Sequence, residues 1–361
     1  MDAAVTVRTT LDQLVTRGRL PGIQYAVVDR NGVQFEYQAG IADLAVDKPV
    51  SAGTTFMASS STKVITAAAI LQLVEKNRVA LDRPLSAYYS AHPYGDRVTI
   101  RHLLAQTSGI PNPLPLKWLH LVSDHDRYDE ESALKQVMSR RPRRVSEPGE
   151  QYSYSNISYW LLGKVIESVS GRSYEEYVRE HIFDALGVRA EAASFQIKDP
   201  GRHARGYQKF FSLVGLSLYL LMDRRVIGET VRGYATVLPV YMNGPAYGGL
   251  ICTASGFALF LQDMLRSEPR LLASETRDLF LTEQTTTSGR PTGMTLGWRV
   301  GALQGEPWYG KPGGGPGFRS NVRLYPGPGI GVAWLANETG VNEQQMNAIS
   351  DSMDRHWLSG V

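Results

Sequence analysis

Strand-like runs crowd both ends of this chain and thin out in its middle. Ile23–Asp29 and Val33–Gln38 flank an Asn31-Gly32 pair, a strong hairpin signal. Four further runs, 297–302, 306–311, 318–325 and 329–336, follow one another near the other end. From the alanine- and leucine-rich segment Lys63–Lys76 to about residue 245 the pattern is mostly helical, broken by proline-rich loops at 111–115 and 142–149. This layout predicts a mixed α/β fold with one sheet built from both ends and a helical region inserted between them. The α/β part would comprise residues 1–57 and 246–361, and the helical part 58–245, as one catalytic unit. Helices are also expected over 3–17, with Val5, Leu11, Leu14 and Val15 as the apolar face, over 254–267 and over 342–358.

With 361 residues the chain can bury a large core, and 43% hydrophobic and 20% charged residues are ordinary for a globular protein. A formal net charge of only +3 gives no reason to expect a nucleic-acid partner. One cysteine, Cys252, excludes an intramolecular disulfide and a cysteine-rich metal site. Met1–Arg17 lacks the apolar core of a signal peptide, and no stretch is long enough to span a bilayer, so the expected location is cytoplasmic.

Three short motifs carry the chemistry: Ser60-Ser61-Thr62-Lys63, Tyr154-Ser155-Asn156 and Lys311-Pro312-Gly313. Residues at i and i+3 share a helix face, so the Lys63 amine can reach the Ser60 hydroxyl. A serine attacks only when something takes its proton, and a lysine can do so if burial or a neighbouring cation lowers its pKa. Ser60 would lie at a helix N-terminus, where the dipole favours developing negative charge. The first two spacings recur, as Ser132-Ala133-Leu134-Lys135 and as Tyr241-Met242-Asn243. Context favours the first copies. Ser60 follows a strand pair and opens an apolar helix, and Tyr154 sits in a turn-rich loop after Pro148-Gly149. Singly, Lys63 reads as well as a surface lysine, Tyr154 as a core tyrosine and Lys311 as a strand-end charge.

The run Phe56–Lys63 resembles the active-site segment of the serine β-lactamase and penicillin-binding-protein superfamily, above all its class C and family VIII carboxylesterase branch. His102–Gly109, Glu147–Asn156, Gly248–Ala254 and Gly313–Phe318 match further segments in the same order and extend the resemblance over nearly the whole chain. It implies a β-lactamase-like fold, with an antiparallel sheet covered by the terminal helices. It also implies that Ser60 becomes acylated, that Lys63 and Tyr154 share general acid and base work, and that Asn156 binds substrate or Lys63. Lys311 would lend positive charge beside Tyr154, next to Gly313, and the backbone N–H groups of Ser60 and Gly314 would form the oxyanion hole. Neither a metal nor an organic cofactor is implied.

Pro312 is the departure that bears on substrate. The family's third motif usually carries threonine or serine there, whose hydroxyl helps hold a substrate carboxylate. Proline offers neither hydroxyl nor N–H, and a strand tolerates it only on an open edge. A small-molecule carboxylic ester is therefore the expected substrate. A β-lactam, a D-amino-acid peptide or amide, acyl transfer to another acceptor, and a non-turnover penicillin-binding sensor remain as alternatives. Gln106 and Gly256 stand where relatives often have histidine and aspartate, and carry no inference about catalysis.

Two other features stand apart. Phe210–Met222 is apolar nearly all round but too short to span a bilayer, and reads as a buried helix or as a cap that contacts hydrophobic substrates or a membrane surface. The basic run Arg140–Arg144 could assist the latter. His120, Asp124, His125 and Asp126 match no standard metal spacing, and no Gly-x-Ser-x-Gly elbow points to an α/β-hydrolase.

Overall fold

A computed structural model describes residues 2–113, 118–209, 223–339 and 342–358. Its centre is a seven-stranded antiparallel sheet in the order Arg299–Leu303, Glu306–Gly315, Phe318–Tyr325, Ile330–Ala336, Gly22–Val28, Val33–Asp43, Lys48–Pro49. Gly22–Val28, from the early part of the chain, pairs directly with Ile330–Ala336, from the late part. The two ends thus do make one sheet.

Both of these strands are fully buried, because each face of the sheet is covered. Side chains alternate along them with period two. Ile23, Tyr25, Val27, Val332 and Trp334 join Val7, Leu11, Met346 and Met353 of the terminal helices Ala3–Thr16 and Glu343–Leu358. Ala26, Val28, Ala333 and Leu335 face the other way, into the main core with Phe257 and Leu261 of helix Ala254–Leu265. The first helix differs from expectation in its face. Val7, Leu11 and Leu14 are buried, while Val5 is 55% exposed. Val5 precedes Val7 by two residues, which places it about 200° around the helix, on the far side.

The helices Thr62–Glu75, Glu130–Arg140 and Asn156–Ser170 fulfil the helical expectation for the middle region. Residues 193–209 and 223–242 do not. They include the strands Ala193–Ser194, Gly206–Lys209, Ile227–Val231, Tyr234–Val237 and Val240–Met242, three of which make a separate antiparallel sheet. Arg232 and Gly233 turn that hairpin with φ of +51° and +82°, as a primed turn requires. Arginine in place of the usual asparagine or aspartate hid the signal. The Phe210–Met222 reading lies outside the described residues.

Candidate active site

Ser60 stands in a single 3₁₀ turn, Ser59–Ser61, that leads straight into helix Thr62–Glu75. That helix is buried on every side from Thr62 to Leu73, which explains its continuous apolar sequence and fixes Lys63 without freedom to swing out. The strand Glu306–Gly315 lies against the turn. Ser61 Oγ donates to the Lys311 carbonyl at 2.8 Å, and Ser320 on the neighbouring strand donates to the Ala58 carbonyl at 2.7 Å. A Cβ on Gly313 would come within 2.3 Å of the Ala58 carbonyl oxygen, so only glycine lets strand and turn approach this closely. The ladder with Arg299–Leu303 ends at Arg299↔Gly310, which leaves residues 311–315 an open edge on that side. Pro312 sits in this open stretch. Ser59, just before Ser60, has φ +48°, a conformation costly for a non-glycine residue and common at functional turns.

The first copies of the two repeated spacings converge. Ser60 Oγ lies 2.8 Å from Tyr154 Oη and 3.3 Å from Lys63 Nζ. Lys63 Nζ also donates to Asn156 Oδ1 at 2.8 Å and to the Tyr247 carbonyl at 2.6 Å. Tyr154 Oη lies 3.3 Å from Asn156 Oδ1. Lys311 Nζ lies 4.9 Å from the centre of the Tyr154 ring. The second copies stand elsewhere. Lys135 is exposed and paired with Glu131, and Tyr241 Oη accepts from the Ile197 backbone N–H.

Burial dominates the electrostatics of this cluster. Desolvation, helped by the nearby Lys311 charge, holds the Lys63 amine well below the usual lysine range. Desolvation, then Arg299, brings Lys311 down to about 7, against a small opposing effect of Glu343. Arg299 is itself paired with Glu343 at 2.9 Å and donates to Tyr152 Oη at 3.2 Å. Burial pushes the Tyr154 phenol up, more than its Ser60 contact brings it down. A free amine at Lys63 has two hydrogens. The Asn156 and Tyr247 oxygens accept both, so the lone pair is left for the Ser60 hydroxyl proton.

Two supports of this site had no reading in the sequence. One is the Tyr247 carbonyl, a backbone atom without a residue-type signal. The other is Gln106. Its fully buried side chain accepts from Ser155 N at 2.6 Å and donates to the Ser155 carbonyl at 3.2 Å, while its own carbonyl accepts from Ser153 N at 2.8 Å. These bonds hold the residues on either side of Tyr154. Replacing Gln106 with leucine leaves two buried backbone groups unpaired and frees the loop. We expect kcat to fall about 10- to 100-fold with KM nearly unchanged, as steady-state kinetics would read.

The remaining sequence readings resolve plainly. His120 and His125 spend their ring nitrogens on each other at 3.0 Å and on Asn243 and Gln196, and among the described residues no three-group cluster could hold a metal. Gly256 is needed because a Cβ there would lie 2.5 Å from the Ala192 carbonyl, which excludes aspartate. Arg144 of the basic run bonds the Tyr94 carbonyl and Glu147. No helix among the described residues is long and apolar enough to cross a membrane.

The sequence pattern of one family, described as Beta-lactamase, matches residues 7–350. The chain belongs to the beta-lactamase family. It has the β-lactamase fold. Among curated relatives, this beta-lactamase-family chain is 25% identical to penicillin-binding protein 4* of Bacillus subtilis (strain 168) over 311 residues, covering 85% of this chain and 66% of that one. It is 29% identical to Protein flp of Staphylococcus aureus (strain MW2) over 195 residues, 52% of this chain. The match spans only 38% of Protein flp's length. The solved structure of D-amino acid amidase from Ochrobactrum anthropi SV3 superposes with a TM-score of 0.82 over 99% of both chains at 21% identity, which speaks for the fold.

Proposed function

We propose that the protein hydrolyses carboxylic esters through an acyl-enzyme on Ser60. Lys63, as the free amine, takes the Ser60 proton while Oγ attacks the ester carbonyl. The backbone N–H groups of Ser60 and Gly314 hold the oxyanion, donors typically worth about 3–4 kcal/mol each. The C–O bond to the alcohol then breaks, and Tyr154 gives its phenolic proton to the leaving alkoxide. Tyr154 recovers a proton from the Lys63 ammonium through the groups that both touch, Ser60 and Asn156. Water enters by the same steps in reverse, with an amine again as base, and releases the acid. The elevated phenol and depressed amine support this division of labour, a buried acid beside a buried base.

Pro312 carries the choice of ester over carboxylate-bearing substrates. It removes the hydroxyl next to Lys311, and a Lys311 amine near 7 is only partly charged at neutral pH, so a carboxylate would find weak partners. The test compares kcat/KM for a short-chain nitrophenyl ester and a chromogenic cephalosporin, with Ser60→Ala as the blank. Ester turnover at least about tenfold higher, and lost in the variant, is the expected result. Dominant cephalosporin turnover would replace this reading with β-lactam hydrolysis.

A further inference from the structure

A cavity of about 620 Å³ lies beyond the glycine-rich end of the strand that borders Ser60. That is mid-range for a small-molecule site. None of the catalytic groups lines it, yet two of its walls belong to the segments that carry them. Met57 lies three residues before Ser60, and Phe318 follows the turn that ends Glu306–Gly315. The two segments stay close along their length. A Cβ on Gly315 would lie 2.6 Å from Ser59 Oγ, and Phe56 and Phe318 meet edge to face with ring centroids 6.4 Å apart. The opposite walls come from Leu121, Val237 and Val240 of the strands Leu119–Leu121, Tyr234–Val237 and Val240–Met242, and from Ile197.

The one guanidinium among the described lining residues is already paired. Arg205 is held by Glu229 at 3.1 Å and by Asp43 at 3.6 Å. His203 shares a hydrogen bond with Thr55 through Nδ1 at 3.1 Å, and burial brings its imidazole down to about 4, so it is neutral at pH 7. Among the described lining residues an anionic head finds no unpaired cation, and a cationic one would displace Arg205 from its carboxylates. The lining fits an uncharged, flexible apolar group.

We propose that this cavity takes the aliphatic acyl chain of an ester whose carbonyl is held at Ser60, which makes medium-chain acyl esters the favoured substrates. This rests on the ester reading above. Each methylene that enters is expected to raise kcat/KM about threefold to fourfold until the cavity is full.

The test is a series of nitrophenyl esters from acetate to dodecanoate, run on the wild type, Ile197→Trp and Leu238→Trp. Leu238 lines the rim and is 39% exposed, so the larger ring there need not disturb the core. In the wild type kcat/KM should climb from acetate to octanoate by at least about 30-fold, the gain from three buried methylenes. Both variants should keep the acetate rate and flatten the climb. A flat wild-type series, or variants that lose the same factor at every chain length, would overturn the cavity assignment while acetate turnover, absent in Ser60→Ala, still upheld the ester reading. Absence of turnover with every ester, acetate included, would overturn both.

Discussion

Replacing Lys63 with methionine should lower kcat for a short-chain ester by about three to four orders of magnitude. Methionine fills the same buried space without the lone pair that faces Ser60. It leaves the Asn156 and Tyr247 oxygens without their donor, which costs about 1–3 kcal/mol, but removes an amine that is itself expensive to bury. The fold should therefore survive, as circular dichroism and a thermal scan would verify. The pH profile gives the sharper reading. The free amine is the active form, so kcat/KM should rise with pH through the depressed Lys63 pKa and then level. The Lys311 charge is one cause of that depression. Lys311→Met removes it, so the Lys63 pKa rises and the acidic limb should move to higher pH. A Lys63→Met enzyme that kept a tenth of its kcat would show Tyr154 to be sufficient as the base.

The second large effect concerns stability. Asp354→Ala should cost about 3–5 kcal/mol, read as a lowered urea midpoint. Arg323 is almost wholly buried between the sheet and the helix Glu343–Leu358, where it donates to Asp351 at 2.6 Å and to Asp354 at 3.2 Å and lies over the Trp308 ring. Tyr325 Oη donates to Asp354 at 2.8 Å. Removing the Asp354 carboxylate strands a guanidinium whose other carboxylate is partly open to water. The pair Arg323→Met with Asp354→Leu should recover most of the loss, because it removes both charges. Burial, only partly offset by Arg323, pushes the Asp354 carboxyl up to about 6. Between its ordinary value near 4 and this one, the folded chain holds a proton that the unfolded chain has released. This group therefore favours the fold most at low pH and loses that contribution as pH rises through about 6. Asp354→Asn should flatten that part of the stability profile.

What was legible in the sequence is what local chemistry writes there. Ser60, Lys63, Tyr154 and Asn156, which the structure brings together, are marked by short spacings, and the sheet strands by runs of apolar and β-branched residues around plain turn signals. The hidden parts depend on partners far along the chain. Gln106 reaches Ser155 through a backbone at φ +58°, and nothing near residue 106 announces that its amide will pair with a peptide 49 positions away. The Tyr247 oxygen is main chain and has no letter of its own. The strands within 193–209 and 223–242 are short, and the primed turn that joins two of them uses Arg232, which lacks the short polar side chain that makes asparagine easy to recognise there. The choice between Val5 and Val7 in the first helix turned on phase, which a few apolar residues do not fix.

The pairing of Gly22–Val28 with Ile330–Ala336 has a consequence for how the protein is made. Translation delivers the second strand about 300 residues after the first, a delay on the order of 15–60 s at ribosomal speeds. Throughout that time the early hairpin has a bare edge of unpaired peptide groups on an apolar strand, the kind of surface that recruits foreign strands. A lone hairpin is also too weak to persist in water. Synthesis must therefore pass through a long adhesive interval that ends only when the last strand closes the sheet. Slower growth, lower temperature or a holding chaperone should raise the soluble yield, and a ribosome stalled before residue 330 should release an aggregating chain.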